Sequence, residues 1–134
     1  MSGSRLFLSP PHMSGRELEA VVRAFASNYV APAGPALTEF EAAFKAETGF
    51  AHAVALTSGT AATHLALRHL GVGRGDEVWA ASLTFIGSVG PAAHEGARLT
   101  FLDCDEATWT LDADLLAEAL AAAARRGRLP KVVI

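Results

Sequence analysis

The sequence has one cysteine and no long apolar run. Cys104 alone cannot form a disulfide framework within the chain, and it offers no site at which several thiolates hold a metal. Nowhere do about eighteen uncharged apolar residues follow one another, and no long apolar core follows Met1, so the sequence predicts neither a membrane span nor a signal peptide. These absences indicate a cytoplasmic protein without a membrane partner.

Positive charge is also scarce. The 134 residues include 11 lysines and arginines against 14 acidic residues, which gives a formal net charge of −3. No basic stripe runs along the chain, so nucleic acid is not a favoured partner. The five histidines show no metal-ligand spacing on a face shared with carboxylates, and we assign no metal. With 51% apolar residues, the chain can bury one substantial core, as one domain or a piece of a larger protein.

One stretch organises the chain. Residues 53–56 are apolar and predict a strand, Ser58, Gly59 and Thr60 predict a tight turn, and the following residues have helical spacing. The small side chains let an anion approach the backbone N–H groups at the start of the helix, and the absence of a Walker lysine or a dinucleotide glycine fingerprint favours a phosphate-tailed small molecule. A plain strand-to-helix turn, capped by Ser58 or Thr60, is the alternative.

Two helices are predicted before this stretch. The first begins after Ser14, which forms a capping-box pattern with Glu17, and it ends near Ser27. The second runs from about residue 36 to residue 48, with Gly49 as its stop. Apolar residues recur along both helices and predict one face on each. On the first helix they are Leu18, Val21, Val22 and Phe25, and on the second Leu37, Phe40, Ala43 and Phe44 are expected to face inward.

The loop between these helices, residues 28–35, is dense in turn-forming residues. It carries Asn28 and Tyr29, an amide and an aromatic side chain that a simple connection does not need, and we predict that these two residues contact substrate. The alternative is that Tyr29 plugs the side of a sheet.

Strands and helices alternate along the rest of the chain. We predict strands at residues 77–81, 99–102 and from 131 onward, a helix at residues 86–94, and a helix from Asp112, its N-cap, to about Arg126. This alternation predicts an α/β fold with a mainly parallel sheet and helices on both faces. Because ligands of such sheets bind beyond the carboxyl ends of strands, residues 58–60 and 82–85 are expected to face one cleft.

Four ordered motifs carry a resemblance to a known family. They are residues 57–67 (TSGTAATHLAL), 75–78 (GDEV), 82–85 (SLTF) and 96–103, which begin with Gly-Ala and end with Phe-Leu-Asp. Together they resemble the amino-terminal third of the DegT/DnrJ/EryC1/StrS aminotransferases, pyridoxal-phosphate-dependent sugar aminotransferases of fold type I. Residues 8–13 and 128–134 are most similar to the branch that makes amino sugars for pilin or protein glycosylation.

The resemblance implies a cofactor site. Gly59 and Thr60 would hold the phosphate of pyridoxal 5′-phosphate through backbone N–H groups and the threonine hydroxyl, with Ser58 nearby. Phe85 would stack on the pyridine ring, where an aromatic side chain fixes the plane of the cofactor and keeps water from one face. An ordinary core phenylalanine is the alternative for Phe85.

The resemblance also implies an activity, in which glutamate supplies an amino group to a nucleotide-linked 4-keto-6-deoxy sugar in a homodimeric enzyme. The Schiff-base lysine and the carboxylate that pairs with the pyridine nitrogen are expected beyond Ile134, because Lys45 and Lys131 are predicted to be surface lysines. The chain then has no catalytic residue of its own and is expected to be inactive alone.

In this interpretation, residues 1–134 are an amino-terminal segment, disordered at residues 1–5, plus the first part of the cofactor-binding large domain. The rest of the large domain and a small carboxyl-terminal domain would follow. Two alternatives stay open: a non-catalytic relative that binds the cofactor or regulates, and a fold type I sugar dehydratase.

Overall fold

The structure, a computed structural model, describes residues 9–134. It consists of two compact units, the first ending at Ala55 and the second spanning Leu56–Ile134. The predicted disorder of residues 1–5 lies outside the described residues. Within residues 9–134, no helix combines the length and the apolar character that a membrane crossing needs.

The first unit contains two helices, α1 (Glu17–Ala26) and α2 (Pro35–Thr48). The predicted capping box is only half formed, because the Glu17 carboxylate accepts the Ser14 N–H at 2.8 Å whereas the Ser14 hydroxyl accepts the Arg16 N–H at 3.4 Å. Hydrogen bonding from the Ser14 side chain and backbone, with a further bond from the Gly15 N–H, lowers the pKa of Glu17 to about 2. Gly49 ends α2 in the left-handed conformation, at a φ of 74°, as its sequence position predicts.

Neither helix of the first unit buries a residue within the described structure. The prediction that α2 has an inward face is therefore wrong here, because the described part of the unit has no sheet or third helix to cover that face. The side chains concerned, all exposed, are Leu37, Phe40, Ala43 and Phe44.

The second unit alternates helices and strands, as predicted. Its elements are α3 (Gly59–His69), β1 (Glu77–Ala81), α4 (Ile86–His94), β2 (Arg98–Leu102), α5 (Ala113–Arg125) and β3 (Val132–Val133). The strands form a parallel sheet in the order β2-β1-β3, with Val78 opposite both Leu99 and Val132. Asp112 is the N-cap of α5, where its carboxylate accepts the N–H groups of Asp114 and Leu115.

Successive residues of β1 point to opposite faces of the sheet, and each face carries helices. Val78 packs with Leu67 of α3 and Ala92 of α4 in one buried cluster. Trp79 packs with Leu102 and with Ala123 of α5 in another. The predicted parallel sheet with helices on both faces is thus confirmed.

The strand predicted at residues 53–56 is not formed in the described structure. The prediction is wrong here because a strand requires a hydrogen-bonded neighbour, and the described sheet contains only β1, β2 and β3. The consequence is seen at Val54, whose side chain is 73% exposed.

Lys131 lies at the surface, as predicted, but it is not a free lysine. Its Nζ atom donates hydrogen bonds to the Gly71 carbonyl at 2.6 Å and to Asp76 Oδ2 at 3.0 Å. The bond from Lys131, together with one from the Gly73 N–H, lowers the pKa of Asp76. Lys131 therefore ties the turn before β1 to the start of β3.

Replacing Lys131 with Met should lower the melting temperature at neutral pH, because the Asp76 carboxylate loses its cationic partner. Since the pKa of Asp76 is lowered on folding, this stabilisation is present above the usual aspartate value of 3.8 and is lost as the pH falls through the lowered value. Melting temperatures measured from neutral pH down to below pH 3.8 check the prediction, with Lys45→Met as the control. Equal melting curves for the two variants at neutral pH would contradict it.

Candidate functional site

The start of α3 leaves backbone donors available. Ser58 is the extended N-cap of the helix, and its hydroxyl oxygen accepts the Ala61 N–H at 3.1 Å. Gly59 and Thr60 follow as the first helical residues, and their N–H groups have no acceptor among residues 9–134. Ser58 thus caps the helix, as the simpler alternative predicts, and the two N–H groups needed for an anion remain free.

The loop after β1 is fixed at its beginning and exposed at its end. The Ser82 N–H donates to the Leu102 carbonyl at 2.7 Å, and its hydroxyl donates to Asp103 Oδ1 at 3.1 Å. Phe85 is the extended N-cap of α4, and its side chain is 76% exposed. Phe85 is therefore not part of a core formed by the described residues.

Gly87, in the first turn of α4, lies between the start of α3 and the end of the loop after β1. A Cβ atom built on Gly87 would lie 2.6 Å from Thr60 Oγ1 and 2.6 Å from Cε1 of Phe85. The Thr60 hydroxyl and the Phe85 ring therefore both lie beside this glycine. Of the residues predicted for a cofactor site, the structure places Ser58, Gly59, Thr60 and Phe85 at the adjoining amino-terminal ends of α3 and α4.

A cleft of about 450 Å³ opens beyond β1 and β2. Of the residues predicted to face one cleft, its lining includes Ser82 and Leu83 but none of residues 58–60. Its most exposed aromatic side chain is Trp109, which adopts a φ of 60° and is 70% exposed. A tight turn holds it there, in which Asp105 accepts the Thr108 N–H at 2.7 Å. Hydrogen bonds from Thr108 and Ala107 lower the pKa of Asp105. The cleft is lined by Ser82, Leu83, Asp103, Cys104, Asp105, Glu106 and Trp109.

Asn28 and Tyr29, the residues predicted to contact substrate, belong to the first unit. Asn28 has a φ of 58° and its N–H donates to the Phe25 carbonyl at 2.9 Å. The Tyr29 ring contacts Gly34, and its side chain is 54% exposed. Their role toward a substrate stays a prediction.

The sequence profile of the DegT/DnrJ/EryC1/StrS aminotransferase family matches residues 11–130. The chain belongs to this family. It is 45% identical over 130 residues to EpsN of Bacillus subtilis (strain 168), a protein named as a pyridoxal phosphate-dependent aminotransferase, and the match covers 97% of this chain and 34% of that protein. The resemblance seen in the sequence is thus confirmed.

Two further relatives support the family assignment. The chain is 38% identical to a GDP-perosamine synthase of Caulobacter vibrioides, across 81% of this chain and 29% of the synthase. The crystal structure of a DegT DnrJ EryC1 StrS aminotransferase from Brucella abortus matches with a TM-score of 0.77 and 31% identity, covering 88% of this chain and 32% of the other. The chain therefore shares the fold of the matched part of the Brucella structure, and it spans about a third of the length of these relatives.

The cap at the start of α3 can be tested alone. Ser58→Ala removes the acceptor for the Ala61 N–H and should lower the free energy of unfolding by about 1 kcal/mol. Denaturant titration measures this, with Ser88→Ala as the control, because the Ser88 hydroxyl has no hydrogen bond among the described residues. Ser58→Thr should retain most of the stability, and equal losses for Ser58→Ala and Ser88→Ala would count against the cap.

Proposed function

We propose that this chain is the amino-terminal part of a pyridoxal-phosphate-dependent sugar aminotransferase. The adjacency of the Thr60 hydroxyl and the Phe85 ring carries the proposal, because this cofactor has a phosphate group that a hydroxyl can bind and an aromatic ring on which a phenylalanine can stack. Family membership and the names of the relatives support it.

The residues at the two helix starts fit the cofactor. The free N–H groups of Gly59 and Thr60 and the positive end of the α3 dipole suit a phosphate dianion. Apart from its chain neighbours and the backbone of its own helix, no described atom lies within 4 Å of the position where a Cβ of Gly59 would stand, so there is room for phosphate oxygens. The exposed Phe85 ring is available for stacking on a pyridine ring.

The cofactor, when bound, supplies an electron-withdrawing ring through which an amino group is transferred. Gly59 and Thr60 bind its phosphate and so fix one end of the molecule. Phe85 covers one ring face, orients the ring and keeps water away from that face. The lysine and the ring-pairing carboxylate that the reaction needs are proposed to lie beyond Ile134, so the chain by itself supplies binding and orientation.

For the whole protein, we propose transfer from glutamate to a nucleotide-linked 4-keto-6-deoxy sugar, in the cytoplasm, for glycan or glycoprotein synthesis of the pilin-glycosylation type. The relative named GDP-perosamine synthase supports an amino sugar carried on a nucleotide. The exposed Asn28 and Tyr29 are proposed to contact the substrate. A homodimer is proposed, and the exposed apolar face of α1, with Leu18 and Phe25, is consistent with burial in a larger assembly.

The cofactor site is tested by affinity in the full-length protein. Phe85→Ala should weaken binding of pyridoxal phosphate by about 1 kcal/mol, or about fivefold in Kd, because one stacking face is lost. Thr60→Ala should weaken it by about tenfold, because a hydrogen bond to a charged group is lost. Equilibrium dialysis gives the Kd, and melting of the same samples reports on the fold.

Phe101→Ala is the matched control, because Phe101 is also an exposed phenylalanine but lies on β2. It should leave the Kd unchanged. If Phe85→Ala and Thr60→Ala also bind with the wild-type Kd, the cofactor does not occupy this site.

A further inference from the structure

A polar cluster joins α3 to α4 away from the proposed cofactor site. Glu95 follows α4 as its C-cap, and its Oε1 atom accepts hydrogen bonds from His64 Nε2 at 2.5 Å and from Arg68 NH1 at 3.3 Å. His64 and Arg68 stand one turn apart on the same face of α3. The Glu95 side chain is only 15% exposed, and His64 is more sheltered than Arg68. The bond between His64 and Glu95 is therefore the better-protected part of the cluster.

The cluster and the proposed site share the contact between α3 and α4. Thr60, at the start of α3, lies beside Gly87 in the first turn of α4. His64 follows Thr60 by about one turn, or roughly 6 Å along α3, and it donates to Glu95 at the carboxyl end of α4. Leu67, the next turn of α3, is buried with Ala92 of α4 in one apolar cluster.

These contacts differ in how well they fix the register of the two helices. The apolar contact of Leu67 with Ala92 is non-directional, and the approach of Thr60 to Gly87 includes no hydrogen bond in the described structure. The bond between His64 and Glu95 depends on distance and angle. A slide or rotation of α3 on α4 would break this bond, and the same movement would shift Thr60 relative to Phe85.

We propose that Glu95, acting through His64, is a positioning residue for the cofactor site. The bond holds α3 in register with α4, and this register sets the Thr60 hydroxyl beside the Phe85 ring. Neither Glu95 nor His64 touches the cofactor. The inference rests on the proposed function. It adds two residues, at the contact between α3 and α4, that determine the affinity for pyridoxal phosphate.

The test uses the full-length protein and the Kd for pyridoxal phosphate, measured by equilibrium dialysis. Glu95→Ala and His64→Ala should each raise the Kd about threefold to tenfold, and the double variant should be no weaker than either single variant, because the bond between His64 and Glu95 is lost in all three. Glu95→Gln retains an oxygen that accepts from His64 and should bind within about twofold of the wild type.

Leu116→Ala is the control for general destabilisation, since Leu116 packs against the cluster around Trp79 on the opposite face of the sheet. It should lower the melting temperature of the cofactor-free protein and leave the Kd unchanged. If Glu95→Ala lowers the melting temperature but leaves the Kd at the wild-type value, or if the single effects on the Kd add in the double variant, the inference is overturned.

Glu95→Asp replaces Glu95→Ala if the latter does not fold, because its carboxylate is one methylene too short to keep the bond. A raised Kd supports the inference and an unchanged Kd overturns it. Phe85→Ala separates the two proposals. If Phe85→Ala weakens binding and the Glu95 variants do not, only the positioning role fails, whereas wild-type protein that does not bind the cofactor refutes the proposed function itself.

Discussion

The contact between α3 and α4 is the feature on which the rest of the second unit depends. Both helices cover the same face of β1, where Leu67, Val78 and Ala92 are buried together. Apolar burial of this kind supplies most of the stability of a small sheet with its helices. Because α4 connects β1 to the parallel strand β2, its position on this face also follows from the short crossover between the two strands. The amino-terminal ends of α3 and α4 meet as a consequence, and the proposed cofactor site lies there.

Elements whose signals are local could be predicted from the sequence. The apolar run of β1, the span of α4, the Asp112 cap and the Gly49 stop all depend on neighbouring residues, and the structure has them where they were predicted. The strand at residues 53–56 and the inward face of α2 could not be predicted reliably. A strand or an apolar face is completed by distant parts of a fold, so its pattern in the sequence does not say whether the partner is present.

The proposed site also combines features with local sequence signals and features that depend on distant residues. The anion-binding turn at residues 58–60 was predicted from a local pattern, small residues at a helix start, whereas the role of Phe85 was implied only by the family resemblance, and both stay predictions. The role of Gly87, the tie from Lys131 to Asp76 and the bond from His64 to Glu95 join residues far apart in sequence, so only the fold reveals them. The turn that holds Trp109 was not predicted, because a tryptophan does not signal a positive φ. The Asp105 turn before it is nevertheless of a kind that short polar side chains favour.

The most direct measurement of the central claim is a crystal structure of the full-length protein grown with pyridoxal phosphate. The account predicts phosphate oxygens within about 3 Å of the backbone nitrogens of Gly59 and Thr60, and the Phe85 ring stacked on the pyridine ring. A cofactor bound with its phosphate elsewhere, while the start of α3 contacts only solvent, would contradict it.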